Sequence, residues 1–180
     1  MPKERLSDNR DLMYDWLYLT FIYPIIFIFP AYVANGAPVI FGGGVPLDFN
    51  RRIGKKRIFG NHKTVKGLVA GICSGIIIAF AESLSPGYGF MLLIGTAQAF
   101  GAHAGDLLGS FIKRQRGYKE GEKSIIMDQY LFLVMALLFS IPFGRLPSIY
   151  GIVFLFILTG ILHPLTNLIA HALRLKEVPW

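Results

Sequence analysis

The sequence has few charged residues, a single cysteine and no internal repeat. Only 16% of its 180 residues are charged, whereas an ordinary soluble domain has about 25%. The one cysteine, Cys73, cannot form an intramolecular disulfide and therefore gives no indication of the redox compartment. The two halves of the chain show no repeat of the kind found in many transporters. The low charge argues against a soluble domain.

Long apolar runs fill most of the chain instead. Hydrophobic residues make up 53% of the sequence, and the mean hydropathy is +0.51. A helix of about 20 apolar residues crosses the roughly 30 Å apolar core of a bilayer. We therefore predict an all-α integral membrane protein, with residues 1–180 forming one polytopic membrane domain. The five predicted transmembrane helices are residues 16–33, 67–84, 88–112, 129–145 and 149–173.

The basic residues are distributed unevenly between the two sides of this predicted bundle. Of the eighteen lysines and arginines, fourteen lie in the two long loops or after the last span. The other four are Lys3, Arg5, Arg10 and Arg145. Because cytoplasmic segments carry the excess of lysine and arginine, we predict that both basic loops and the C-terminus are cytoplasmic and that the N-terminus is outside. Topology then explains the pI of about 9.6 better than nucleic-acid binding does.

Glycines recur every four residues in the second and third predicted spans. The two ladders are Gly67, Gly71 and Gly75 in one span and Gly101, Gly105 and Gly109 in the other. Small residues at this spacing let helix backbones approach closely in lipid, where apolar contact alone gains little. We expect the second and third spans to pack together through these ladders. A homodimer contact is the alternative.

One acidic residue, Asp106, lies inside the third apolar span. A helix places Asp106, Ser110 and Lys113 on one face, with His103 one turn earlier. Asp106 precedes Lys113 by about 10 Å along the axis, which places it just below the cytoplasmic surface. A charge at mid-membrane costs at least about 2.5 kcal/mol, and ionisable residues in spans usually serve a function. Asp106 is therefore either a metal or substrate ligand, or one partner of an intramembrane ion pair with a lysine.

Two basic loops flank this carboxylate. The first, RRIGKKRIFGNHKTVKG, has Gly54 and Gly60 as hinges and ends where the second span begins. The unpaired N–H groups at a helix start favour anions, and the residues around this one are Asn61, Lys63, Thr64 and Lys66. The second loop, KRQRGYKEGEKSIIMDQ, adds cations and brings Asp128 to the head of the fourth span.

These loops could act only as a topology signal or as a tether to anionic lipid. The two carboxylates at the membrane edge indicate more than a topology signal or a lipid tether. Carboxylate and phosphate oxygens are the ligands that Mg²⁺ prefers, so the two loops and the two carboxylates together predict a site for a polyanion and a divalent cation.

The same residues resemble the signature of a known enzyme family. Residues 110–120 read Ser-Phe-Ile-Lys-Arg, then four residues, then Lys-Glu, which is similar to the S-x-apolar-K-R-x4-K-D run of the CTP:phosphatidate cytidylyltransferases. Asp128 resembles the first aspartate of that family's later D-R-x-D element, and residues 63–67 resemble its upstream Lys-Thr-x-x-Gly. The short length, the five spans and the runs NHKTVKG and GDLLGSFIKR look most like the archaeal branch, the CDP-archaeol synthases. The resemblance covers both loops and the second to fourth spans.

The resemblance implies transfer of a cytidylyl group from CTP to an isoprenoid-ether glycerol phosphate lipid, 2,3-bis-O-(geranylgeranyl)-sn-glycerol 1-phosphate. The products would be a CDP-archaeol-type lipid and pyrophosphate, and the cofactor would be Mg²⁺. A phosphate monoester is already ionised at pH 7, so this reaction needs positioning and charge neutralisation rather than a general base. That need fits a sequence with cations and carboxylates but no Ser-His-Asp or Cys-His arrangement.

The resemblance also implies roles for eleven residues at the membrane edge. Those that would carry catalysis are two metal-binding carboxylates, Asp106 and Asp128, and two triphosphate-binding lysines, Lys63 and Lys113. The nucleotide-binding residues would be Asn61, Thr64, Lys66, Gly67, Ser110, Arg114 and Lys119. The sequence departs from the bacterial pattern at Gln129 and Leu131, which stand in place of an arginine and a second aspartate. Either Asp106 supplies the missing charge, or a single Mg²⁺ is bound.

The last span carries a polar row, His163, Asn167 and His171, which spans Pro164. The row either bridges helices or helps to wall the entrance of the lipid phosphate, and the role of His62 is also open. A small membrane lipid or ion transporter with an intramembrane aspartate is the alternative function. The D-x-x-D-G-x-x-A-R run of the CDP-alcohol phosphotransferases is absent, and a scaffold would not need paired carboxylates at one interface.

Overall fold

The computed structural model describes residues 11–176, 178 and 179. Within these residues the chain folds into a bundle of five long helices. They are α1 (Asp11–Phe41), α2 (Val65–Ser83), α3 (Met91–Gln115), α4 (Ile126–Phe143) and α5 (Ile149–Ala172). The two long connections, residues 42–64 and 116–125, lie at the same end of the bundle, which we call the loop end. Lys3, Arg5 and Arg10, which we predict to lie outside the cell, fall outside the described residues.

Four of the described helices, α1, α2, α4 and α5, are long and apolar enough to cross a membrane. The remaining helix, α3, is 25 residues long but carries Gln98, His103 and Asp106. It lies in the centre of the bundle, in contact with α1, α2 and α4, so its surface faces protein more than lipid. The prediction of a helical membrane protein is therefore confirmed. The count of five spans and their orientation stay predictions.

Helix α1 is longer than the sequence analysis proposed. The predicted span ended at Val33, whereas the helix continues to Phe41 and contains Pro38. A proline inside a helix removes a hydrogen bond and usually kinks or ends it. Here the face that bears Ala34 and Pro38 packs on α2, and Ala34 and Ala37 are buried. The other helices begin and end within three residues of the predicted bounds.

The glycine ladder of α2 packs against two helices at once. A methyl group on Gly75 would lie 2.6 Å from Cβ of Ala99 on α3 and 3.0 Å from Cβ of Ala34 on α1. A methyl group on Gly71 would collide with the His103 ring of α3. The predicted contact between the second and third spans is therefore present.

The ladder of α3 has a different partner from the one we expected. A methyl group on Gly101 would lie 2.6 Å from the carbonyl oxygen of Met135, and one on Gly109 would lie 2.7 Å from that of Met127. One on Gly105 would meet the α4 backbone even more closely. These glycines therefore pack on α4 rather than on α2. Both ladders are used within the chain, so neither requires the homodimer alternative, which stays untested.

A short hairpin shapes the first loop. Strands β1 (Arg52–Ile53) and β2 (Lys56–Arg57) pair antiparallel, with Arg52 opposite Arg57. Gly54 takes a φ of 61° at the turn, a conformation that glycine adopts without steric cost. The hairpin places the basic side chains of this loop above the ends of α2 and α3, because β2 also contacts α3.

Candidate active site

Asp48 organises the first loop. Its side chain is completely buried and accepts two hydrogen bonds from the Arg57 guanidinium, from Nη2 at 2.6 Å and from Nε at 3.1 Å. The carboxylate also accepts from the backbone N–H groups of Asn50, Phe59 and Gly60 at 3.0 to 3.1 Å. One carboxylate thus fixes both the hairpin and the segment that leads into α2.

These contacts determine the ionisation of Asp48. Burial alone would raise the pKa of the carboxyl, but the hydrogen bonds from Arg57 and from the backbone N–H groups of Phe59, Gly60 and Asn50 outweigh it. They hold the pKa well below the usual range of an aspartate. The Asp48 carboxylate is therefore a charged structural anchor at neutral pH.

Glu120 joins the two loops. Its carboxylate accepts from the backbone N–H of Asn61 at 2.9 Å and from Asn61 Nδ2 at 3.0 Å. Gly60 takes a φ of 92°, and a methyl group there would lie 2.9 Å from Glu120 Oε1. Only glycine satisfies both the conformation and the close approach. The two loops are thereby held together over the ends of α2 and α3.

Two lysine–aspartate pairs lie beneath these loops. Lys63, just before α2, donates to both carboxylate oxygens of Asp106 on α3 at 2.6 Å. Lys113, in the last turn of α3, donates to both oxygens of Asp128 at 2.9 and 3.0 Å. The N–H of Ser124 also donates to Asp128 at 2.8 Å. Four of the predicted residues are thus brought to the point where α2, α3 and α4 meet.

Asp106 therefore forms the ion pair that the sequence left as one of two alternatives. The pair does not remove the carboxylates from reach, because the Asp106 and Asp128 side chains are 29% and 33% exposed. Among residues 11–176, 178 and 179, no three His, Cys, Asp or Glu side chains cluster in a way that could hold a metal. Mg²⁺ usually takes only one or two carboxylates together with water and substrate phosphates. Two partly exposed aspartates, each beside a lysine, fit that requirement.

The other predicted residues occupy the same end of the bundle. The Thr64 hydroxyl accepts from the N–H of Gly67 at 3.1 Å and caps α2, and Lys66 is exposed on the first turn. Ser110 is half-buried on α3. Arg114 donates to the carbonyl of Lys119 at 2.8 Å, which stabilises the fold of the second loop. Thr64, Arg114 and Asn61 all have structural contacts, so a role in nucleotide binding would be additional to them.

The polar row of α5 contacts the C-terminal segment. Asn167 Nδ2 lies 3.2 Å from His163 Nδ1, and the Lys176 ammonium donates to Asn167 Oδ1 at 2.9 Å. His171 Nδ1 lies 3.1 Å from the carbonyl oxygen of Lys176. The row therefore anchors the chain after α5, a contact that the sequence pattern does not predict.

Three residues with clear roles in this arrangement were missed. Asp48 stands before Phe49 and Asn50, and an aspartate that bonds the N–H two residues on is typical of turns, so this signal was available. Glu120 is the last residue of the family signature at residues 110–120, but the signature does not predict its contact with Asn61 in the first loop. Lys176 has no sequence signal, because its contact with Asn167 depends on how the chain turns after α5.

Comparison with known proteins gives consistent matches over most of the chain. The family model described as CarS-like, CDP-archaeol synthase, matches residues 13–180. The CDP-archaeol synthase of Pyrococcus abyssi is 39% identical over 160 residues, which cover 86% of this chain and 95% of that protein. The CDP-archaeol synthase of Methanopyrus kandleri is 41% identical over 156 residues, covering 86% of this chain and 90% of that one.

A solved structure also resembles this fold. It was described as an intramembrane enzyme for archaeal membrane lipids biosynthesis. It is 34% identical in sequence and superposes with a TM-score of 0.75, over 79% of this chain and 91% of that chain. The arrangement of helices described above is therefore shared with a known membrane enzyme.

Proposed function

Because the chain belongs to the CDP-archaeol synthase family, we propose that it transfers a cytidylyl group from CTP to 2,3-bis-O-(geranylgeranyl)-sn-glycerol 1-phosphate. The reaction releases pyrophosphate and forms a CDP-archaeol-type lipid for membrane phospholipid synthesis. The observation that carries this proposal is the pair of lysine–aspartate contacts beneath two linked basic loops. The cations suit a triphosphate, and the carboxylates suit the Mg²⁺ that accompanies it.

The lysines and aspartates would exchange partners when the nucleotide binds. Lys63 and Lys113 each neutralise one aspartate in the structure. With CTP present, their ammonium groups would bind triphosphate oxygens, and Asp106 and Asp128 would hold Mg²⁺. The chemistry that Mg²⁺ supplies when bound is neutralisation of phosphate charge. Each charged side chain therefore keeps a counter-charge before and after binding, which limits the desolvation cost of the site.

The reaction itself needs no general base from the protein. An oxygen of the lipid phosphate attacks the α-phosphorus of CTP and forms a new P–O bond, and the bond from the α-phosphorus to the bridging oxygen of the β-phosphate breaks. The electron pair leaves with pyrophosphate. The attacking monoester is already ionised at pH 7, so no proton must be removed. Lys63 and Lys113 then act by positioning two polyanions and stabilising the charge on the leaving group.

The site would face the cytoplasm of a cell membrane that the protein crosses several times. Among the described residues, the lysines and arginines gather at the loop end, whereas Arg145 lies at the opposite end. Cytoplasmic ends carry this excess of lysine and arginine. CTP is a cytoplasmic metabolite, so a loop end on that side gives the nucleotide direct access.

Pyrophosphate release tests the proposal. The purified protein in detergent is supplied with CTP, Mg²⁺ and the lipid phosphate, and each component is omitted in turn. We expect pyrophosphate only when all are present, together with a CDP-lipid product. Pyrophosphate release that is independent of lipid, or movement of lipid across vesicles without use of CTP, would contradict the proposal and favour the transporter alternative.

A further inference from the structure

The chain turns back sharply after α5. Arg174 takes a left-handed conformation with a φ of 59°. Its N–H donates to the carbonyl of His171 at 2.9 Å, and the N–H of Leu175 donates to that of Ala170 at 2.8 Å. This pair of bonds commonly ends helices, with glycine at the left-handed position. A residue with a side chain is disfavoured there, so contacts beyond the turn must hold it.

Lys176 makes those contacts. Its ammonium donates to Asn167 Oδ1 at 2.9 Å, and its carbonyl oxygen lies 3.1 Å from His171 Nδ1. Asn167 is positioned in turn by His163, at 3.2 Å. Lysine side chains are usually exposed, but that of Lys176 is half-buried. The turn therefore directs its ammonium back along α5.

The charges around Lys176 are those of the proposed active site. Burial lowers the pKa of the Lys176 ammonium, and so do Lys63 and Lys113, whereas Asp128 and Asp106 raise it. The geometry agrees, because Asn167, which accepts from the Lys176 ammonium, lines one pocket together with Asp128. Lys176 is a third lysine at the site, and it approaches from α5 rather than from the two basic loops.

A small pocket lies between the start of α4 and α5, next to the residues that hold Lys176. Its lining includes Asp128 and Lys123 on one side and His163 and Asn167 on the other. Only 11% of the most apolar stretch of α5 is buried within the protein, a smaller share than in α1, α2 or α4. A lipid chain lying against the exposed face of α5 would therefore bring its headgroup to this pocket.

We propose that Lys176, held in place by Asn167, binds the phosphate monoester of the lipid substrate and presents it to the nucleotide bound at Lys63 and Lys113. This inference rests on the proposed function. A phosphate monoester carries nearly two negative charges at pH 7, and lysine is a common ligand for it. The lipid phosphate fits better than the triphosphate because the pocket adjoins the lipid-facing helix α5, whereas Lys63 and Lys113 lie at the ends of α2 and α3.

Steady-state kinetics of Lys176→Gln test this role. In mixed micelles, we expect its KM for the lipid phosphate to rise about tenfold to a hundredfold, the range for a lost hydrogen bond to a charged group. The KM for CTP should stay within about twofold. Lys176→Arg should restore most of the lipid affinity, because it keeps the charge. Asn167→Ala should raise the lipid KM to a smaller extent, because it frees the ammonium without removing it.

Arg174→Gly is the matched control. It removes a positive charge two residues away and leaves the turn intact, since glycine favours the left-handed conformation. Its lipid KM should be unchanged, which separates the position of Lys176 from the net charge of the segment. Thermal unfolding of each variant, measured in the same detergent, verifies that the variant is folded, so that the KM values of folded proteins are compared.

The outcomes distinguish this inference from the proposed function. An active parent enzyme whose Lys176→Gln variant keeps its lipid KM, or changes only its KM for CTP, would overturn the inference alone. The same holds if Arg174→Gly raises the lipid KM as much as Lys176→Gln does. A parent protein that consumes no CTP with lipid phosphate would overturn the proposed function and this inference together.

Discussion

Replacing Asp106 by asparagine separates a metal-binding role from a purely structural ion pair. Asparagine keeps the size and polarity of the side chain but removes the charge that Mg²⁺ requires. If the proposed function is correct, turnover should fall at least about a hundredfold, because a metal supplies several kcal/mol of charge stabilisation and each 1.36 kcal/mol is tenfold in rate.

The cost in stability should be moderate. Asp106 accepts two hydrogen bonds of 2.6 Å from Lys63, and the two side chains are 29% and 27% exposed. Breaking a fully buried pair costs about 3 to 5 kcal/mol, and exposed pairs contribute about 0 to 1. For this partly exposed pair we expect a loss of about 1 to 3 kcal/mol. Asp106→Asn should therefore still insert and fold.

Asp48→Asn is the matched comparison. Its side chain is fully buried and holds Arg57 and three backbone N–H groups, so its loss should cost about 3 to 5 kcal/mol. Pyrophosphate release and thermal unfolding are measured for both variants in one detergent preparation. An Asp106→Asn protein that is active but strongly destabilised would refute the reasoning, because Asp106 would then be a structural charge.

Three further results are expected. The pKa of Asp48 is lowered in the folded protein, so its contribution to stability is present above the unfolded pKa of about 4 and is lost progressively as the pH falls below that value. Unfolding curves at pH 3 to 7 should show this loss of stability, and the stability of Asp48→Asn should depend less on pH. Cysteines at Lys55 and Pro86, in a background without the native cysteine, should react with an impermeant reagent from the cytoplasmic and the outer side respectively, and the reverse labelling would overturn the proposed topology. Gly105→Ala should destabilise the bundle by about 1 to 3 kcal/mol, because its methyl group would meet the α4 backbone, whereas Gly36→Ala, with open space around it, should be neutral or slightly stabilising; equal stability of the two variants would contradict the packing described here.

The sequence alone was sufficient for the properties that depend on local composition. Apolar runs identified the helices that are long and apolar enough to cross a membrane, since crossing a bilayer requires about 20 apolar residues whatever the fold. Helical periodicity placed Asp106 and Lys113 on one face of α3, and the family resemblance from residues 110–120 is matched by the relatives. The continuation of α1 beyond the predicted span to Phe41 has no local signal, since Pro38 usually ends a helix and here packs against Gly67 of α2.

Only the tertiary structure decided which groups are partners. Asp106 lies 43 residues from Lys63, and the glycines of α3 could face any helix of suitable shape until the bundle placed α4 there. Asn167 and Lys176 meet because the chain reverses at Arg174. Spacing along a chain fixes which side chains share a face, whereas ion pairs and close backbone contacts form between elements that are distant in sequence. Their identity is therefore set by the packing of the whole bundle, which no local pattern specifies.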